Sequence, residues 1–109
     1  MPPPSAALQG ALDLLILKTL AREPNHGFSI ALHIQSASQG LLRVEEGSLY
    51  PALHRLERDK LVRAEWKTTD NRRRARFYTL TALGRKRLGS AEESWTSLAK
   101  GVGRLLRYV

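Results

Sequence analysis

The chain has 109 residues, a length that suits one domain. Apolar residues make up 42% of it, enough for a modest core, and it contains no cysteine, which excludes disulfides, thiolate metal sites and cysteine nucleophiles. With 18 Lys and Arg against 10 Asp and Glu the net charge is +8, which favours an anionic partner, either nucleic acid or a membrane surface.

The opening Met1-Pro2-Pro3-Pro4-Ser5 lacks the basic and long apolar regions of a signal peptide and reads as a disordered lead over residues 1–6. No stretch reaches the roughly 18 uncharged apolar residues of a membrane span, so no membrane partner is expected. Ala7 to Ala21 reads as a first helix, with Leu8, Leu12, Leu15, Ile16 and Leu20 at helical spacing. Leu14 and Leu17 add a second apolar stripe. A helix this apolar all round needs two covered faces, one by its own core and one by a partner subunit. Pro24 and Gly27 then break the pattern. A second helix runs from Gly27 to Ser38, with Phe28, Ile30, Ala31 and Ile34 on its apolar side, and Gln39-Gly40 ends it. Leu41 to Val44 reads as a short extended piece.

Leu49, Leu53 and Leu56 mark a third helix over Gly47–Lys60. Pro51 fits if it lies near the first turn, whose amides have no helical partner to lose, and so puts the start at Glu46 to Ser48. Two strands follow. Val62, Ala64 and Trp66 alternate with Arg63, Glu65 and Lys67; Arg76, Tyr78 and Leu80 alternate with Ala75, Phe77 and Thr79. Thr68-Thr69-Asp70-Asn71 supplies the turn. Thr81 is suited to N-cap a last helix. There Leu88, Ala91, Trp95, Leu98, Val102 and Leu105 form the a/d seam of a short coiled coil. The seam is under three heptads long, and Gly101 and Gly103 weaken its end by roughly 1 kcal/mol each. It is expected to pair with a second copy, helped by Leu14 and Leu17; the rival is packing on its own domain.

The fold expected is mainly α with a small β-hairpin: a winged helix-turn-helix over residues 7–80 and one long C-terminal dimerisation helix over 81–109. The third helix would read a major groove and the hairpin would be the wing.

Seven basic residues and no acidic one lie between Asn71 and Ala91. Arg72, Arg73, Arg74 and Arg76 sit at or beside the hairpin tip; Arg85, Lys86 and Arg87 open the last helix. A solvated charged loop is the bland reading, yet four arginines in five positions repel one another unless an anion is present. Their planar forks suit phosphates and base edges. On the third helix, Ser48 and the first-turn amides suit a phosphate. Tyr50 can give a hydroxyl to the DNA backbone, and His54, Arg55 and Arg58 can reach bases or phosphates. Glu57 and Asp59 would repel DNA; Arg55–Asp59 and Glu57 with Arg58 or Lys60 are the alternative surface pairs.

His26, His33 and His54 lack metal-ligand spacing, and His26 reads as a turn residue donating to a carbonyl. There is no nucleophile–base pair, phosphate-cradling glycine loop or close carboxylate pair. No enzyme, cofactor or metal is expected.

The run Glu46-Gly47-Ser48-Leu49-Tyr50-Pro51-Ala52-Leu53-His54-Arg55-Leu56-Glu57 resembles the hallmark of the PadR family of bacterial transcription regulators. Pro24-Asn25-His26-Gly27-Phe28 is similar too, with Phe28 where the family usually has tyrosine. Phe77-Tyr78-Thr79-Leu80-Thr81 with Gly84 resembles the family's second wing strand and helix cap, and Ala11 to Leu17 its first helix. The likeness covers about residues 8 to 100. It implies a homodimeric repressor on a roughly palindromic operator in double-stranded DNA. The likeness places Ser48, Tyr50 and their neighbours in the major groove and Arg72, Arg73 and Arg74 on the wing contact. With the residue reading above, the expected contact set is Ser48, Tyr50, Pro51, His54, Arg55 and Arg58 on the third helix and Asn71, Arg72, Arg73 and Arg74 on the wing. The single C-terminal helix resembles the short subfamily, which dimerises through it, and some of whose members bind planar aromatic compounds between the paired helices. Trp95 is then first a core tryptophan of the pair and second a contact for a small aromatic effector. The cytoplasm, on the nucleoid, is the expected location. The alternatives are a non-specific architectural DNA-binding protein and a protein-interaction module on the same fold.

Overall fold

The computed structural model describes residues 4–108, with side chains from Ala11 onward. The element order is α1 (Pro4–Arg22), β1 (Asn25–His26), α2 (Gly27–Ala37), α3 (Glu46–Arg58), β2 (Val62–Thr68), β3 (Arg74–Leu80) and α4 (Ala82–Arg107). The three strands form one antiparallel sheet in the order β1-β3-β2.

α1 starts earlier than its apolar pattern: Pro4 to Ala6, expected in a disordered lead, are helical. Proline presets φ for the first turn, where its missing N–H costs nothing. Met1 to Pro3 and Val109 lie outside the described residues. Leu12, Ile16, Leu17 and Leu20 of α1 are buried, and α1 touches α2, α3, α4 and β3. The second apolar stripe is therefore covered largely from within the chain. Leu17, expected at a subunit interface, is 1% exposed in the chain's own core and has no face left for a partner; Leu14 is half-buried against that core.

α2 and α3 complete the helical layer through Ile30 and Ile34 and through Leu49, Ala52, Leu53 and Leu56. Both helices end in the same way. At α3 the Leu61 amide donates to the Leu56 carbonyl and the Lys60 amide to that of Glu57, with Lys60 at φ +62°. At α2 the Gly40 amide donates to Gln35 and the Gln39 amide to Ser36, with Gln39 at φ +54°. This pairing of carbonyls with the two following amides is a Schellman stop, whose left-handed residue is usually glycine. Leu41 to Val44, expected to be extended, pair with no strand.

The hairpin register pairs Val62 with Leu80, Ala64 with Tyr78, Trp66 with Arg76 and Thr68 with Arg74. Because side chains alternate, these share one face. Its base (Val62, Tyr78, Leu80) is buried in the core, and its outer part (Trp66, Arg74) emerges from it. β1 adds a third strand where only a chain break was expected, pairing Asn25 with Tyr78 and His26 with Phe77. His26 is accordingly a strand residue. Its ring stands edge-on to Phe77 at 5.2 Å, and its Nε2 meets the Ser29 hydroxyl at 3.1 Å rather than a carbonyl.

Thr81 caps α4 as expected, its Oγ accepting from the Gly84 amide at 3.0 Å. The same hydroxyl lies within donating distance of the Lys60 and Leu61 carbonyls, and the Thr81 amide donates to Leu61. The start of α4 is thus fastened to the end of α3. A Cβ on Gly84 would stand 2.1 Å from the Leu61 carbonyl oxygen, so only glycine permits this approach. Leu88, expected on the inter-subunit seam, is 6% exposed and packs into the chain's own core. Lys18 bridges to Glu92 at 3.2 Å. Beyond Glu92 α4 leaves the body, and Trp95, Leu98, Val102 and Leu105 are exposed by 46 to 72%.

Candidate nucleic-acid interface

α3 has an apolar inner face and a polar outer one. Leu49, Ala52, Leu53 and Leu56 are buried; Gly47, Tyr50, Pro51, His54 and Arg58 are exposed and recur at intervals of three and four. That spacing makes one outward stripe. Pro51 stands at the sixth helical position, deeper than a first-turn proline, and leaves the Gly47 carbonyl without its usual donor four residues on. Ser48 is half-buried, and its amide donates to the Glu45 carbonyl at 3.0 Å. The phosphate seat expected at this helix start is weakened by that bond and by the exposed Glu45 and Glu46 beside it.

Tyr50 is aimed by its surroundings. A Cβ on Gly27 would lie 2.9 Å from its Cε1, so the Tyr50 ring rests on the bare backbone at the start of α2. Arg55 does not join the outward stripe: its guanidinium binds the carboxylate of Asp13 on α1, 42 residues away, with both side chains 36% exposed. The surface pairs expected within α3 also differ. Glu57 accepts from Arg76 Nη2 of β3 at 2.7 Å, and Arg58 pairs with Asp59 at 3.5 Å.

The seven basic residues that are consecutive in charge pattern do not form one patch. Arg72, Arg73 and Arg74 are exposed at the wing tip. Arg85, Lys86 and Arg87 sit at the opposite end of the hairpin, about 20 Å away along a strand of this length. At the tip the Thr69 amide donates to Arg73, the Arg72 amide to Thr69, and the Arg73 amide to Thr69 Oγ1. This turn holds Arg72 at φ +60°. Asn71 is exposed beside it. The Arg74 guanidinium lies over the Trp66 ring, 5.6 Å from its centroid.

Between the start of α2, the outer face of α3 and the wing lies an open groove of about 470 Å³ lined by Phe28, Tyr50, Trp66, Arg73, Arg74 and Arg76. Phe28 and Trp66 are 61% and 58% exposed there. Phe28, expected with Ile30 and Ile34 on the apolar side of α2, instead faces out, because its side of the first turn of α2 borders the groove and not the core. Trp66 shares the strand face of Val62 and Ala64, and the length of the wing carries it clear of the core. Tyr78 forms the floor. Burial pushes its hydroxyl above the usual tyrosine range, with Arg76 opposing the rise and Glu57 and Tyr50 adding to it. The groove's base is therefore neutral and its rim cationic.

No group of three or more His, Cys, Asp or Glu suited to a metal ion exists among the described residues. His33 is engaged by Arg22, whose Nη1 donates to Nδ1 at 2.8 Å. No helix of the described chain is long and apolar enough to cross a membrane.

Known proteins share this arrangement. Residues 16–90 match the transcriptional regulator PadR-like family. The chain is 38% identical over 94 residues to a transcriptional regulator of Mycobacterium tuberculosis, covering 86% of this chain and 84% of that protein. Among solved structures, a PadR family transcriptional regulator from Eggerthella lenta superposes with a TM-score of 0.75 at 31% identity, covering 96% of this chain and 90% of that one. A PadR-like transcriptional regulator from Bacillus cereus gives a TM-score of 0.81 at 26% identity, covering 95% and 99%. With its three helices, wing and long final helix, the chain belongs to the PadR-like family of transcriptional regulators, a family of regulators and not of enzymes.

Proposed function

We propose that the protein is a sequence-specific DNA-binding repressor that holds a roughly palindromic operator as a homodimer. The observation that carries this reading is the polar outward stripe of α3 set beside an arginine-tipped wing. Tyr50, Pro51 and His54 would enter the major groove, with Arg58 and Ser48 at the two ends of the contact. Asn71, Arg72, Arg73 and Arg74 would hold the adjacent backbone or minor groove. Arg55 drops out of this set because Asp13 holds it against α1.

Dimerisation would use the part of α4 that its own chain leaves bare: Trp95, Leu98, Val102 and Leu105, with Ala91 at the margin. Leu17 and Leu88 lie in the chain's own core and form no part of this surface. A two-fold pair would set two α3 helices one DNA turn apart, the spacing that a palindrome presents. Trp95 would lie in that seam, where a planar aromatic effector would have a ring to stack on.

Anisotropy on a random duplex tests the electrostatic part. The protein should bind at about 50 mM salt, with affinity falling steeply as salt rises. Arg73→Ala should lower the slope of log affinity against log salt by about one. An unchanged slope would mean that the wing tip faces solvent, and no binding at low salt would turn the reading towards a protein-interaction module.

A further inference from the structure

The Glu57–Arg76 ion pair sits at a mechanical boundary. From Glu65 to Ala75 no wing residue is buried. Among the described residues, no hydrogen bond or ion pair joins the wing to the body nearer its tip than this one. Arg76 is the cross-strand partner of Trp66, on whose ring Arg74 lies. Glu57 stands seven residues after Tyr50, two helical turns on, so both project from α3 towards the same side. Each partner is about a third exposed, and the bond is 2.7 Å long. Arg76 Nε is buried without a partner, so the guanidinium is committed to this one carboxylate.

We infer that Glu57 is a positioning residue for DNA recognition: through Arg76 it fixes the angle between the wing and α3, and with it the width of the groove between them. The inference rests on the DNA-binding reading above. It reverses the simplest expectation for an acidic residue on a DNA-reading helix. A carboxylate that merely repels phosphate should, when removed, tighten binding to every duplex alike. A carboxylate that sets the wing should, when removed, loosen binding only where two contact sets must register together. Random duplex needs only charge. A specific site needs Tyr50, His54 and the wing arginines in place at once.

Two measurements on the full-length protein test this, on wild type, Glu57→Ala, and the swap Glu57→Arg with Arg76→Glu. In the free protein, heteronuclear NOEs of the Arg72 to Ala75 amides and the Trp66 indole report wing order. They should fall in Glu57→Ala while those of α1 and α2 hold, and recover in the swap. Unchanged wing NOEs would overturn the inference whatever DNA does. With DNA, Glu57→Ala should lower the preference for the best duplex over random duplex by about tenfold, random binding staying equal or rising, with partial recovery in the swap. An equal rise on both duplexes would reduce Glu57 to a repelling charge and overturn the inference. If wild type prefers no duplex, the proposed repressor function fails, and the NOEs alone decide whether Glu57 sets the wing.

Discussion

α3 and the second half of α4 are both amphipathic helices with one face uncovered, and the two uncovered faces differ in kind. On α3 the bare stripe is Gly47, Tyr50, Pro51, His54 and Arg58. Water satisfies these groups while they wait, and a groove of hydrogen-bonding base edges and phosphates can replace that water at little loss. On α4 the bare stripe is Trp95, Leu98, Val102 and Leu105. Water satisfies none of these; burying the exposed half or so of each against another apolar surface contributes about 1 kcal/mol or a little more. One periodicity thus leaves two uncovered faces of opposite chemistry. The exposed side chains, not the helical pattern, say which partner each one fits.

The largest effect should come from the joint between the two helices. Gly84→Ala pushes a methyl into the Leu61 carbonyl and should cost about 3 kcal/mol of stability in urea unfolding, detaching α4 from the end of α3. Native-like stability would mean that the joint is looser than the geometry shows. Next, Leu98→Glu or Val102→Glu should weaken self-association by about 2 kcal/mol or more per subunit in sedimentation velocity. Helices α1 to α3 should stay intact by circular dichroism. A dimer of unchanged strength would move the subunit contact elsewhere. On the polar face, Tyr50→Ala should lower affinity for the preferred duplex by about 1–2 kcal/mol without unfolding. The dimer constant should not change, so the two interfaces separate experimentally. The smallest effect concerns α3 alone: Lys60→Gly relieves a left-handed lysine and should raise stability by about 1 kcal/mol, read as a higher urea midpoint.

The contrast also explains what sequence could and could not reveal. Short-range features were legible: the leucine spacing of α3, the strand alternation on both sides of the turn, and the Thr81 cap. Each depends on residues a few positions apart. Features that depend on distant partners were not. Asn25 and His26 are too few to show a strand period, and β1 exists only because its partners Tyr78 and Phe77 lie far along the chain on β3. The ion pairs of Arg55 with Asp13 and of Glu57 with Arg76 each join residues far apart in the chain, and the spacing within α3 gives no sign of either. Leu17 and Leu88 carry the right apolar character for an interface, and only packing shows that their own chain covers them. The ends of α2 and α3 were legible, at Gln39-Gly40 and Lys60, but not the left-handed conformation, usually a glycine's, that Gln39 and Lys60 adopt there.

The most direct test of the central claim is anisotropy of the purified protein on duplexes tiled across the DNA upstream of its own gene. Random duplex is the competitor and salt is held near about 0.15 M, where charge-only binding is already weak. One tile bound at least about a thousandfold more tightly than random DNA is the predicted result, and that tile should carry two related half-sites about one helical turn apart. Equal, steeply salt-dependent binding to every tile would contradict it and leave a protein that coats DNA without reading it.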